Sequence, residues 1–558
     1  MTGRSALELG HLGGVGAWVW ASVAAAAACV GLLACEGCKP TGAPANGTAN
    51  GDTSAGPPTV RLYLMSDLAG ALEPCGCTKE QLGGLGHLGA WVRSERAHAP
   101  AALLASAGPL FFLDDALDPE RGDQDRIKAE TIARVLRSLD FAAFSTGAND
   151  WAAGASGLAA LVAASGAAAI DGADPAAPFV SEAVRSAGGL KIGFVGYGQP
   201  AGDKPAAPAD AEQAVRRGVD RVKAQGASVL VALVSVGRGA AKRIADAVPE
   251  LNVIVVGSSA ARGEANTTAA DPEQVGNVLV VQPANHLQSV AVLDLFVRDA
   301  VEPGLVLKLA DGGGLEFARK RQDLGRRIDD LSGKLAAWKK DPAVSPADLD
   351  ARKRELAGLE KERDEVASRA PAAPAHGSYF RYALEPIADS LGKDPAIDAD
   401  MLTYYKAVDD HNRVLFADRK PLPHAKDQAF YVGIDECSSC HAPAKAVWEH
   451  TAHAHAYATL SSQYKEFNLE CVGCHVTGYE KPGGSTVTHV DKLRDVQCEV
   501  CHGPGSKHLL SPLDPDTIIA KPQPSVCLSC HHPPHVEHFD AVAAMHGILG
   551  PGHGGPQR

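Results

Sequence analysis

From Val60 onward the chain alternates short apolar runs with longer amphipathic stretches. Residues 60–65, 102–107, 191–197, 228–234, 253–256 and 278–282 have strand length and are apolar almost throughout, as expected of strands covered on both faces. Residues 210–223 and 240–248 between them repeat their apolar positions at helical spacing. Continued to about residue 298, this alternation predicts a layered α/β domain over residues 59–312 with a largely buried sheet.

The pattern then changes period. Phe317, Leu324, Ile328, Leu331, Leu335 and Trp338 form a heptad seam, which Asp341-Pro342 interrupts. Ser345, Pro346 and Asp348 supply a cap, a first-turn proline and an early acid for a second helix, and Leu349, Leu356, Leu359 and Val366 continue the seam. Residues 313–370 therefore read as an antiparallel helical hairpin, with a dimerising coiled coil as the alternative. Residues 371–428, which open Pro/Ala-rich and continue with mixed polarity, read as a connector to a last domain at 429–558.

At the N-terminus, residues 12–34 are almost unbroken apolar sequence behind Arg4, the pattern of an export segment. Leu32-Leu33-Ala34-Cys35 resembles a bacterial lipoprotein box, which implies acylation at Cys35 after removal of the preceding residues. A retained membrane anchor and simple cleavage are the alternatives, since about 20 apolar residues span a bilayer. Each places the body outside the cytoplasm. Residues 36–58, rich in Pro, Gly, Thr, Asn and Ala, read as a flexible tether.

Composition narrows the function classes. A chain of 558 residues with 45% apolar and 21% charged content is a globular protein of several domains. A net charge of −13 and only 5% aromatic residues leave neither a basic groove nor stacking platforms for nucleic acid. The unusual residues are Cys and His: 15 of the 21 histidines fall at or after His424, and eight of the 13 cysteines form four C-x-x-C pairs, each followed at once by His.

These are Cys437-Ser438-Ser439-Cys440-His441, Cys471-Val472-Gly473-Cys474-His475, Cys498-Glu499-Val500-Cys501-His502 and Cys527-Leu528-Ser529-Cys530-His531. Two thiols at this spacing form thioethers to the two vinyl groups of one haem, and the following imidazole reaches the iron. Zinc is the competing chemistry, but tetrahedral thiolate sites do not require His after every second Cys. Four covalently bound haem c groups are expected. Fewer than 30 residues separate successive motifs, so the haems must lie nearly in contact and form much of the domain's core, which should not fold without them.

Two resemblances follow from particular residues. The strand ends of the α/β domain resemble the calcineurin-like metallophosphoesterases, in the 5′-nucleotidase branch, but most of the ligands such a two-metal site needs are replaced. The D-x-H-G element stands as Asp67-Leu68-Ala69-Gly70, the Gly-Asp as Gly108-Pro109, and the Gly-Asn-His-Glu as Gly147-Ala148-Asn149-Asp150. The later histidine strands carry Ser235, Ser258 and Ser259 instead. Only Asp67 survives, so no di-metal centre and no phosphoesterase activity are expected. Nearby Glu73-Pro74-Cys75-Gly76-Cys77 places two cysteines one residue apart, as a structural pair or as a reactive or metal-binding one.

The second resemblance covers roughly residues 430–550. CSSCHAPAKAVWEHTAHAHAYATL, CVGCHVTGYEKPGG, VQCEVCHGPGSKH and FDAVAAMH are similar to the tetrahaem cytochrome c-554 family. The resemblance implies a mostly α and irregular multihaem domain with proximal ligands His441, His475, His502 and His531. It further implies distal ligands His453 on the fourth haem, His508 on the third and His546 on the first, with the second haem open. The spare histidines His450, His455, His489, His532, His535, His538 and His553 are expected at the surface, and His489 is the first alternative ligand to check.

The expected function is electron transfer between redox partner proteins at the periplasmic or cell-envelope side of a bacterial membrane, with a lipid or anchor at the N-terminus. Rival readings are a haem enzyme acting on a small nitrogen or sulfur compound at His475 and, more weakly, a working metal-dependent phosphoesterase. A third makes the α/β domain a docking module that presents the haems to a partner.

Overall fold

The computed structural model describes residues 56–74, 81–172, 178–199, 208–260, 265–338, 344–369, 372–532, 536, 539–550 and 552–553. The export segment, Cys35, Cys75 and Cys77 lie outside the described residues, as do His535 and His538.

Two sheets stack face to face. The first has seven strands in the order Ala310–Asp311, Tyr379–Pro386, Ser289–Phe296, Val60–Ser66, Ala102–Ala107, Phe141–Ser145 and Ala168–Ala169. The second has six, in the order Glu182–Ala187, Leu190–Tyr197, Val229–Val234, Val253–Val256, Val278–Gln282 and Ala270–Val275. The central strands run parallel, and Ser289–Phe296 and Tyr379–Pro386 add antiparallel to the first sheet.

Alternation along each strand divides the side chains between two cores. Val60, Leu62 and Leu64 face Ile192, Phe194, Val231 and Val255 between the sheets. Tyr63 and Met65 point outward into a core shared with helices Leu85–Glu95, Gly122–Ser138 and Gly154–Ser165. A third core lies outside the second sheet, under helices Pro208–Ala224 and Arg238–Ala247. The order helix, sheet, sheet, helix explains why the strands are apolar on both faces.

The boundaries expected at 312 and 371–428 are corrected here. Tyr379–Pro386 pairs along its whole length with Ser289–Phe296, and helix Pro395–Leu415 contributes Ile397, Met401, Tyr404 and Val408 to the outer core of the first sheet. Residues read as a connector thus complete the α/β body. Their mixed polarity misled because the strand carries Arg381 and Glu385 at 4% and 6% exposure, and its partner lies across a long insertion.

That insertion is helices Gly314–Trp338 and Pro346–Ser368. Leu324, Ile328, Leu331 and Leu335 of the first pack on Leu359 and Val366 of the second. Lys320 pairs with Glu362 at 2.9 Å, joining the start of one to the end of the other. Ser345 caps the second helix by accepting from the Asp348 N–H, with proline in its first turn.

Beyond Leu415 the described residues form short helices and turns. Its buried apolar cluster there consists of Phe416, Tyr457, Val472, Val476, Val487 and Val490, too little for a segment of this length to fold around by itself.

Candidate functional site: four Cys-x-x-Cys-His turns and an interdomain cavity

Each motif sits on a single helical turn. His441 N–H donates to the carbonyl of Cys437 at 3.0 Å, and His531 N–H to that of Cys527 at 2.9 Å, while Val472–His475 and Cys498–His502 are short α-helices. A turn of this kind projects the first and fourth residues to one side. All eight thiols are free of disulfides.

The turns come together in two pairs. Cys437 and Cys498 hydrogen-bond, which together with burial raises the Cys437 thiol pKa. Buried Glu499 fixes the same pair by accepting the N–H groups of Val432, Gly433 and Gly505. In the second pair Cys530 hydrogen-bonds Cys474 and is lowered to about 6, while burial pushes Cys471 up to about 12.

Three pairs of imidazoles approach one another at similar distances. Ring centroids of His441 and His508 lie 6.3 Å apart, those of His453 and His531 6.2 Å, and those of His502 and His553 6.2 Å. Two imidazoles on opposite faces of one metal, each with a bond of about 2 Å and about 1.1 Å more to its ring centre, would stand about 6 Å apart. Every pair contains one motif histidine. The donor set fits haem iron, and so does the tautomer: His475 Nδ1–H donates to the carbonyl of Ala456 (2.6 Å) and His502 Nδ1–H to that of Ile519 (2.7 Å), leaving Nε2 as the lone-pair nitrogen. Burial and the neighbouring His531 lower the pKa of His453, favouring the neutral form that ligates.

His453 stands beside His531. His508 stands beside His441 and not beside His502, because Glu499 and Gln497 draw the third motif's helix against the residues that lead into the first. His546 lies exposed on helix Ala541–Ile548, with no motif imidazole beside it among the described residues. The residue that stands beside His502 is His553, which is exposed as expected. Among the described residues no second imidazole stands over His475; His489 is turned to Thr488 instead, at 3.1 Å.

One cavity of about 980 Å³ joins the second and fourth motifs to the α/β body. Cys471, Cys474, His475, Cys527, Cys530 and His531 line one part, and residues 69–74, His286 and Tyr405 line another. The haems of the second and fourth motifs would occupy the part lined by the motif cysteines and histidines. Sequence reasoning missed this cavity, because its walls are hundreds of residues apart in the chain. The body is clamped to the second motif by buried amides: Gln124 Nε2 donates to Asn468 Oδ1 (3.0 Å), while Gln124 Oε1 accepts from Asn412 Nδ2 and Leu469 N (both 3.0 Å). Lys128 pairs with Glu470 at 2.5 Å.

At the C-terminal ends of the parallel strands, the remaining polar groups satisfy one another. Asp67 accepts from Ser258 N–H (2.7 Å) and Ser258 Oγ (3.0 Å), and burial raises its pKa to about 6. Ser235 Oγ accepts from Gly108 N–H and meets Ser145 Oγ, both at 3.1 Å. Asn149 donates to the Leu113 carbonyl (2.5 Å), and Asp150 accepts three backbone N–H groups. A side-chain carbon at Gly108 would lie 1.9 Å from Asp67 Oδ1. Among the described residues no group of three or more Asp, Glu, His or Cys side chains is placed to hold a metal ion. The donors present do not fit a two-metal centre.

Residues 436–503, which hold the first three motifs, match the family model described as cytochrome c554 and c-prime. Cytochrome c-554 of Nitrosomonas europaea is 36% identical over 91 residues, 13% of this chain and 39% of that protein. The chain thus spans well under half the length of that curated relative. Solved structures similar to the chain include a 5′-nucleotidase precursor from Thermus thermophilus (20% identity, 44% of this chain and 52% of that one, TM-score 0.34). Another is the sulfate thiohydrolase SoxB of the same species, in complex with glycerol (13%, 71% and 68%, TM-score 0.40). At these values the structural likenesses carry no functional argument. The sequence matches support a c-type cytochrome region with covalently bound haem. Among the described residues no helix is long and apolar enough to cross a membrane.

Proposed function

We propose that the chain is a tetrahaem c-type cytochrome that transfers electrons between redox partner proteins on the outer side of a bacterial membrane, held there through its N-terminal segment and acylated Cys35. The observation that carries this is the set of three imidazole pairs, each containing one motif histidine, with ring centres 6.2–6.3 Å apart. The first haem would be held by Cys437, Cys440, His441 and His508; the third by Cys498, Cys501, His502 and His553; the fourth by Cys527, Cys530, His531 and His453. The second would be held by Cys471, Cys474 and His475 alone. Haem supplies one-electron redox chemistry, and two imidazole ligands leave a site fit only for that. The test is electron paramagnetic resonance of the haem-loaded full chain: three low-spin bis-imidazole signals and one high-spin signal are expected, with an intact mass carrying four haems. Four low-spin signals would remove the open site.

A second reading is favoured by one observation, the lack of a second imidazole over His475 among the described residues: a haem enzyme acting there on a small nitrogen or sulfur compound. Turnover of such a compound by the loaded protein, with loss of the high-spin signal on binding, would establish it. The α/β body is read as a scaffold without hydrolase chemistry, since a fold does not confer the function usually found on it.

A further inference from the structure

The cavity's α/β wall bears an acid that the electron-transfer reading does not use. Glu73 lies in the loop that follows strand Val60–Ser66, and its Oε2 accepts from both Tyr405 Oη (2.5 Å) and Lys465 Nζ (2.7 Å). One donor comes from the body's last helix and the other from the cytochrome region. Held twice by the same oxygen, the carboxylate has a fixed orientation, and its Oε1 has no partner among the described residues. Glu73 and Lys465 line the same cavity as Cys471, Cys474 and His475 of the second motif. Lys465 keeps the acid ionised against burial.

A second bare acceptor faces the same cavity. His286 is 5% exposed. Its Nδ1 meets Asn266 Oδ1 at 3.0 Å, an oxygen that only accepts, so Nδ1 carries the proton and Nε2 is a lone pair. That Nε2 has no hydrogen-bond partner among the described residues, an arrangement that costs stability unless something donates to it. The lining's carboxylates and ammonium groups balance in number, Glu73, Asp389 and Glu470 against Lys128, Lys393 and Lys465, with Glu73 paired to Lys465 and Glu470 to Lys128. The lining therefore offers acceptors without a net charge to attract an ion.

We propose that this cavity is a binding chamber for a small uncharged molecule bearing N–H, O–H or S–H groups, with Glu73 Oε1 the acceptor that orients it at the haem of His475. The α/β body then serves as one wall of the haem site. This rests on the reading that the second haem has no distal protein ligand.

The probes are imidazole, at a pH where it is neutral, and 1-methylimidazole, which also ligates iron through nitrogen but has no N–H. Both are titrated into the haem-loaded full chain, following the high-spin signal. Imidazole is expected to bind at least about tenfold tighter than 1-methylimidazole. E73Q should remove most of that preference, and cyanide should bind more tightly to E73Q because a negative charge beside the iron has gone. Equal binding of the two imidazoles by the unmodified protein overturns the proposal, as does an unchanged preference in E73Q. If E73Q does not load haem, Y405F, which frees one of the two restraints on Glu73, must reduce the preference or the proposal falls. Absence of any high-spin signal before ligand is added defeats the underlying reading as well, so the two failures are told apart in the first spectrum.

Discussion

At the C-terminus, two histidines of the same short segment have different surroundings, and that difference makes the axial assignment testable residue by residue. His553 faces His502, whereas His546 faces no motif imidazole among the described residues. H553A should convert one low-spin signal to high-spin, and H546A should leave all signals in place, as read by electron paramagnetic resonance of the loaded protein. H453A should do to the fourth haem what H553A does to the third. In the α/β body, Asp67 titrates with a folded pKa of about 6 against an ordinary 3.8 because burial disfavours its charge. A raised carboxylate pKa means that stability is full below pH 3.8 and falls as pH rises through 6, by roughly 3 kcal/mol for this one group. D67N should flatten that part of the stability profile in denaturant unfolding from about pH 4 to 7, while Ser258 Oγ turns to suit the amide.

Among the elements, the decisive contact joins helix Gly122–Ser138, helix Pro395–Leu415 and the segment that enters the second motif. Gln124, Asn412 and Asn468 are each 1% exposed, and their amides satisfy one another where water cannot. Q124L would leave buried partners of Asn412, Asn468 and Leu469 unmet, at about 1–3 kcal/mol for each group so stranded. The variant should lower the unfolding midpoint and also broaden the high-spin signal, since the same segment carries Cys471. The two inserted helices behave differently. Much of their seam is internal to the pair, so L331A should weaken the seam by about 2–5 kcal/mol and leave the haem spectra unchanged.

Across the whole molecule, a well-packed α/β body carries a haem-binding region with little core of its own. Chain made without haem attachment should therefore show native proteolytic resistance up to about residue 415 and rapid cleavage beyond it. The haem motifs were legible in the sequence because covalent attachment is local: Cys, Cys and His must follow one another on a single turn. Strands and helices were legible for a similar reason, since periodicity is set within each segment. The departures of Pro109, Ala148 and Ser258 from the two-metal pattern that the strand ends resemble could likewise be read one position at a time. What only the tertiary structure decided is everything that depends on which distant segments meet. Tyr379–Pro386 joins the first sheet across an insertion, His508 and His553 turn to particular motif histidines, and Glu73, Tyr405 and Lys465 meet in one wall. Such contacts leave no period or spacing in the chain, because their geometry is fixed by the packing of the bodies that bring them together.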